Sequence, residues 1–244
     1  MLHYHRSGSG PKLLLIHGFL EDSTMWNPLN LEEAFDVLTI DLPGHGKSPE
    51  WKFETPSIGY CVDLIIEVLG AEDFQPLGVI GHSLGGYVAL ELDRKQPCEK
   101  LILLNSNFWE DSPEKKKDRQ RVIDIVENYR SRFIKEAVPG LFSDRIKFAD
   151  EINLTLAMAE KVSTEGIQAA TKAMMNRRDH TDRLMDDPNR FYVIQGELDT
   201  STPLEEMLKR IGKVQKVVLK NSGHMCHFEA PSQTRNSIMR FFKD

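Results

Sequence analysis

Gly81-His82-Ser83-Leu84-Gly85 is a G-x-S-x-G run between an apolar segment, Pro76-Leu77-Gly78-Val79-Ile80, and a helix-competent one over residues 86–92. A strand, a turn and a helix in that order make such a run a nucleophile elbow. The turn is tight enough to force Ser83 into strained backbone geometry, and the flanking glycines remove side chains that would collide there. Ser83 Oγ would then stand at the carboxyl end of a central strand, with the N-terminus of the next helix aimed at the reaction site. A serine hydroxyl needs a base to take its proton, and that base needs a third group to orient it. Among eight histidines, His224 has the setting for the base. It follows a candidate strand over 216–220 and the turn Asn221-Ser222-Gly223, and a helix-like stretch over 231–242 comes after it. That places it on a loop at the carboxyl edge of a parallel sheet, where sites in open α/β folds gather. Asp199 is the candidate acid. It follows the strand-like run 190–195 through Gly196-Glu197-Leu198, with Pro203 marking the next helix. Glu197 is the competing carboxylate, and Asp199 is preferred because it lies further out on the loop.

A tetrahedral intermediate also needs two backbone N–H donors for its oxyanion. Lys12-Leu13-Leu14-Leu15-Ile16 reads as a buried strand running into His17-Gly18-Phe19. The expected donors are the N–H groups of Leu84, the residue after the nucleophile, and Phe19. His17 itself reads as structural.

The elements that must position these groups alternate strand and helix up to residues 100–105 and resume at 191–194. Residues 108–186 carry helical periodicity instead. Val122, Ile123, Val126, Tyr129 and Phe133 form a one-sided apolar stripe. Ile152, Leu154, Leu156, Ala157 and Met158 suggest a second helix, and Ile167, Ala170, Ala173 and Met174 a third. Pro113 and Pro139-Gly140 punctuate the boundaries.

The chain resembles the α/β-hydrolase fold enzymes. The resemblance rests on His17-Gly18-Phe19, Asp41-Leu42-Pro43-Gly44-His45-Gly46-Lys47-Ser48, Gly81-His82-Ser83-Leu84-Gly85-Gly86, Gly196-Glu197-Leu198-Asp199 and Ser222-Gly223-His224, in the family's order Ser, Asp, His. It implies a mostly parallel sheet flanked by helices, with residues 1–107 and 187–244 forming the core domain. Residues 108–186 would be a helical cap inserted after the sixth strand, a lid over Ser83. The loop from Asp41 would shape the active-site wall, with Asp41 and His45 structural. Phe19, Tyr87, Phe108, Trp109 and Met225 are candidates for an apolar pocket wall, favouring an uncharged acyl or alcohol group of small to medium size.

The leading functional expectation is a serine carboxylester hydrolase, with Ser83 as nucleophile, Asp199 and His224 as its partners, and a small-molecule ester as substrate. One alternative resembles the menaquinone-pathway lyase, in which the serine–histidine pair abstracts a proton. That family would place an arginine four residues after the nucleophile, where this chain has Tyr87, although Arg119, Arg121 or Arg130 of the insert could supply charge. Dehalogenases and epoxide hydrolases of the fold use an aspartate nucleophile, which Ser83 argues against. The other alternative is a ligand receptor that keeps the triad with negligible turnover.

The 244 residues, 40% of them hydrophobic, suffice for one α/β domain. A net charge of −6 without a basic stripe argues against nucleic-acid binding. Lys115-Lys116-Lys117, flanked by Glu114 and Asp118, reads as a solvated helix face. Residues 1–8 lack the apolar core of a signal peptide, and no apolar stretch reaches membrane-spanning length. Cys61, Cys98 and Cys226 suggest no disulfide framework, so a reduced cytoplasmic setting is expected. His224-Met225-Cys226-His227 lacks a second ligand segment for zinc, so no metal and no cofactor are expected. Cys226 is expected close enough to the base for a bulky thiol reagent to inhibit. A monomer or homodimer is expected, without a membrane partner.

Overall fold

In the computed structural model, which describes residues 1–52 and 56–243, the apolar runs become a seven-stranded sheet. The strands are β1 (Tyr4–Gly8), β2 (Lys12–Ile16), β3 (Asp36–Ile40), β4 (Gly78–His82), β5 (Lys100–Leu104), β6 (Phe191–Gly196) and β7 (Gln215–Leu219). Their order is β1-β3-β2-β4-β5-β6-β7, with β1 antiparallel to β3 and every other pair parallel. Parallel strands covered on both faces are apolar almost throughout, and β4 and β6 are buried at every position.

Alternation along the strands divides the apolar side chains between two cores. Leu14, Ile16, Leu101, Leu103 and Val193 face helices α1 (Ile58–Ala71) and α2 (Leu84–Lys95), which contribute Val62, Ile65, Val88 and Leu92. Leu13, Leu15, Ile80, Ile102 and Ile194 face the opposite side, with Met25, Trp26, Ile238 and Phe241. The last two belong to α9 (Pro231–Lys243), which follows α7 (Leu204–Arg210) and the short α8 (Cys226–Glu229).

After β2 the chain forms β3 on one side, then crosses back to form β4 on the other. β2 and β4 are neighbours whose carboxyl ends lead in opposite directions, the switch point at which a crevice opens in such sheets. The His17-Gly18-Phe19 loop and Ser83 leave these two strands.

The insert comprises α3 (Pro113–Ala137), α4 (Ala149–Ala159), α5 (Thr164–Met175) and α6 (Thr181–Asp186). It lies between β5 and β6, so it follows the fifth strand, where the sequence suggested the sixth. Only four parallel or antiparallel strands precede β5 among the described residues. The apolar stripe of α3 is also shorter than its spacing implied. Tyr129 has non-helical φ −134° and ψ 33°, which resets the phase of the helix. Tyr129 is 61% exposed while Ile134 is buried. In α4, Leu154 is 59% exposed and Thr155 takes a buried place. Ile167, Ala170, Ala173 and Met174 of α5 are all buried. No helix of the described residues is long and apolar enough to cross a membrane.

Asp93 at the end of α2 ties the far end of the insert to the core. Its buried carboxylate accepts from Arg183 Nε at 2.7 Å, Arg190 Nη2 at 2.5 Å and the Cys98 N–H at 3.0 Å. Removing one partner of such a buried network is costly. Asp93→Ala is expected to lower stability by about 3 kcal/mol in urea unfolding, and a loss under about 1 kcal/mol would remove Asp93 from this role.

Candidate active site

Ser83 occupies the single position between β4 and α2, at φ 48° and ψ −114°. An L side chain rarely adopts that region, and surrounding contacts hold it there. Its N–H donates to the Leu104 carbonyl at 3.1 Å, and Ser106 Oγ donates to its carbonyl at 2.7 Å. The flanking glycines are required by close approach. A Cβ at Gly81 would run into the Gly85 carbonyl, and one at Gly85 into the Ile16 carbonyl of β2. The elbow is therefore pressed against the strand that carries the His17-Gly18-Phe19 loop.

His224 is buried on the loop after β7, and its Nδ1 lies 2.9 and 3.0 Å from the two carboxylate oxygens of Asp199. Asp199, rather than Glu197, is the carboxylate in contact. Glu197 is exposed and accepts the Asn221 N–H at 3.0 Å. Asp199 also accepts from the N–H groups of Ser201 and Thr202, both at 2.9 Å. Thr202 Oγ1 at 2.6 Å, Asn105 Nδ2 at 2.9 Å and Gln195 Nε2 at 3.0 Å complete its shell. Burial opposes its charge, but His224 and the Thr202 donors outweigh burial and hold the carboxyl well below the usual carboxylate range. An ionised Asp199 accepts the Nδ1–H of His224, which leaves Nε2 as the basic nitrogen.

Ser83 and His224 line one cavity of ≈ 180 Å³ with Phe19, Tyr87, Met174 and Met225. No hydrogen bond joins Ser83 to His224 among the described residues; such bonds are commonly long before substrate binds. The N–H groups of Phe19 and Leu84 donate to no other described group, and Leu84 opens α2. Two expected wall residues lie elsewhere. Phe108 is 1% exposed in the core and packs edge-on against Trp109, their ring centroids 5.0 Å apart. His180 N–H donates to the Phe108 carbonyl and Arg177 Nε to that of Trp109, so the end of the insert clamps this segment away from the cavity. Lys115 and Arg119 of α3 line the cavity, although charge composition marked Lys115 as part of a solvated face. Their spacing of one helical turn was the signal that could have placed them together.

Beneath the cavity, Glu21 and His82 form a buried pair. Glu21 Oε2 accepts the Gly18 N–H and lies 2.7 Å from His82 Nδ1. His82 Nε2 is 3.0 Å from the His224 carbonyl, an acceptor only, so that nitrogen carries a proton. Burial disfavours both charges, yet their attraction lowers Glu21 to about 2 and raises His82, the signature of an ion pair. His17 is structural: its Nε2 accepts the Leu42 N–H at 2.8 Å, and its Nδ1 faces the Gly18 carbonyl at 2.7 Å. Asp41 accepts from the Ser23 and Lys47 N–H groups. Burial lowers His45 to about 4, so it is neutral, facing the Pro43 carbonyl.

His227 joins Glu21 and His82 in a buried group whose ligand atoms lie within 4.8 Å of one another. Glu21 Oε2 and both His82 nitrogens are engaged by the Gly18 N–H, by each other and by the His224 carbonyl, whereas Glu21 Oε1 makes no hydrogen bond and faces His227 Nε2 at 3.5 Å; burial holds His227 neutral. Cys226 is fully buried and its thiol is pushed up by burial, so it is not the reagent-accessible neighbour of His224 that the sequence suggested.

Glu21→Gln keeps the shape and removes the counter-charge. Glu21 has a folded pKa below its unfolded 4.5, so its stabilisation is full above 4.5 and fades as pH falls through about 2. His82 has a folded pKa above its unfolded 6.5, so its stabilisation is full below 6.5 and fades as pH rises through the raised value. The stability gap between wild type and Glu21→Gln is expected to be widest between pH 4.5 and 6.5, at about 3 kcal/mol. Equal urea midpoints across that window would contradict the ion pair.

A profile of the alpha/beta hydrolase family matches residues 13–236. Among solved structures, a thermophilic esterase from Thermogutta terrifontis, determined with malate bound, superposes with a TM-score of 0.89 at 29% identity, covering 99% of this chain and 93% of its own. The pimeloyl-[acyl-carrier protein] methyl ester esterase of Nitrosospira multiformis is 27% identical over 98% of this chain and 97% of its own length. A Mycobacterium bovis protein of uncharacterised function is 36% identical over 104 residues, where the match spans 41% of this chain and only 30% of that protein. The chain belongs to the alpha/beta hydrolase family.

Proposed function

We propose that this hydrolase cleaves small to medium carboxylic esters through an acyl-enzyme on Ser83. The observation that carries the reading is the Asp199–His224 pair opening onto the same cavity as a strained Ser83, with the Phe19 and Leu84 N–H groups unengaged. Esterase relatives, one of them acting on a methyl ester, support the same chemistry.

In this mechanism Ser83 Oγ bonds to the ester carbonyl carbon as its proton passes to His224 Nε2. The carbonyl oxygen becomes an oxyanion held by the two free N–H groups, each worth about 2.7–4 kcal/mol in the transition state. Asp199 stabilises the imidazolium that forms, and the carbon–alkoxide bond breaks as Nε2 returns the proton to the leaving alcohol. Water then attacks the acyl carbon, giving a proton to Nε2. The acid leaves as that proton returns to Ser83. The helices of the insert act as a lid, with Phe133, Ala137, Leu141 and Met174 on the cavity wall to exclude water from the acyl-enzyme.

Hydrolysis of p-nitrophenyl esters from acetate to decanoate tests this reading. Ser83→Ala is expected to lower kcat by about 10⁴ or more. Asp199→Asn is expected to cost about 10⁴, through loss of the productive tautomer. A Ser83→Ala rate within tenfold of wild type would remove Ser83 from the chemistry. A folded wild type that turns over no ester, yet gains melting temperature with ligand, would favour the receptor reading.

A further inference from the structure

The cavity above Ser83 has one wall whose charge the ester mechanism leaves unused. Lys115 and Arg119 lie one turn apart at the start of α3 and both line it. Arg119 is 16% exposed and donates from Nε to Asp111 Oδ2 at 2.7 Å; its terminal nitrogens donate to no described residue. The same Asp111 carboxylate takes Arg177 Nη1 on its other oxygen at 2.5 Å. Arg177 is otherwise consumed by the Trp109 and Met174 carbonyls, Asn107 and the Tyr87 ring.

Lys115, exposed at the cavity mouth, makes no hydrogen bond or ion pair through its ammonium with a described residue. The nearby acids are committed elsewhere: Asp118 to Arg121, Glu110 to Lys116, Glu21 to His82 and Asp199 to His224. Two guanidinium groups, Arg119 and Arg177, therefore share the Asp111 carboxylate, and the Lys115 ammonium beside them has no ion pair with a described residue, in a chain whose net charge is −6. Partial burial and the Arg119 charge push the Lys115 pKa down, outweighing the opposing pull of Asp111 and Asp118.

Resting on the ester-hydrolase reading, we propose that Lys115 and Arg119 form an anion subsite, and that the substrates are esters carrying a carboxylate a few carbons from the scissile bond. The cavity suits such a molecule along its length. Ser83 and His224 meet the ester, Phe19, Phe133 and Met174 cover a short alkyl spacer, and the ammonium and the free guanidinium edge receive the carboxylate. Charge-assisted, fork-shaped pairing of this kind favours a planar carboxylate. This revises the uncharged pocket expected from the aromatic residues alone.

Two substrate pairs of matched length test the subsite. Monomethyl glutarate against methyl valerate places the carboxylate on the acid side, and 4-acetoxybutanoate against butyl acetate places it on the alcohol side. In at least one pair wild type is expected to favour the charged ester by tenfold or more in kcat/KM. The ratio of charged to neutral kcat/KM is expected to fall at least tenfold in Lys115→Gln and in Arg119→Gln. Arg121→Gln, which alters an exposed cation of the same helix, is the control for a general field effect.

Glutarate binding, read as a rise in melting temperature, is the second arm and needs no turnover. Glutarate is expected to protect wild type, and protection is expected to be lost in Lys115→Gln. If no ester is turned over, the hydrolase reading fails while glutarate binding still decides the subsite. A preference for the neutral member of both pairs overturns the proposal, as does a ratio that Lys115→Gln and Arg119→Gln move no more than Arg121→Gln. Where no ester reacts, absent glutarate protection overturns it, and equal protection by inorganic phosphate overturns the carboxylate assignment.

Discussion

One buried contact, between Glu21 and His82, joins the three parts of the site that come from distant stretches of chain. Glu21 holds the Gly18 N–H in the loop after β2, and His82 is the last residue of β4, directly before Ser83. The other nitrogen of His82 reaches the His224 carbonyl. Loop after β2, elbow after β4 and histidine loop after β7 are therefore referenced to one ion pair. An isolated charge in that position would be prohibitive, so the pair persists only while all three segments are in place. The pair carries no chemistry of its own in the ester mechanism. It fixes the backbone from which the reacting groups project.

The same arrangement fixes His224 from several sides. His224 is anchored through its own carbonyl, through its N–H to the Leu141 carbonyl, and through Nδ1 to Asp199. Asp199 in turn has both oxygens occupied by four partners besides His224, namely Ser201, Thr202, Asn105 and Gln195. The carboxylate is thus ionised and aimed before any substrate arrives, and in the proposed mechanism this preorganisation lowers the cost of charging the imidazole. Because Leu141 belongs to the insert, this bond ties the His224 loop to the helices that line the cavity.

The placement of Ser83, Asp199 and His224 was legible because each follows an apolar run at the carboxyl end of a strand, where parallel sheets collect their sites. Phe108 and Trp109 follow β5 in the same way, and there the rule failed. Where a side chain points four or five residues past a strand depends on distant partners, here Arg177 and His180. Lys115 was hidden for the opposite reason. A basic run flanked by acids resembles a solvated face in composition, and only the helical register shows that positions 115 and 119 turn toward the cavity. The break at Tyr129 is equally invisible to periodicity, which assumes an unbroken helix. Glu21 stood outside every motif, since its role depends on a contact 61 residues away in sequence.

In the proposed mechanism Ser83 Oγ is the atom that bonds to substrate. Treatment with a fluorophosphonate, followed by peptide mass spectrometry and an ester assay on the same sample, measures this directly. One label per chain on the Ser83 peptide, with ester turnover abolished in proportion to labelling, is the expected result. Turnover that persists with Ser83 fully labelled, or inactivation with the label on another residue, would contradict it.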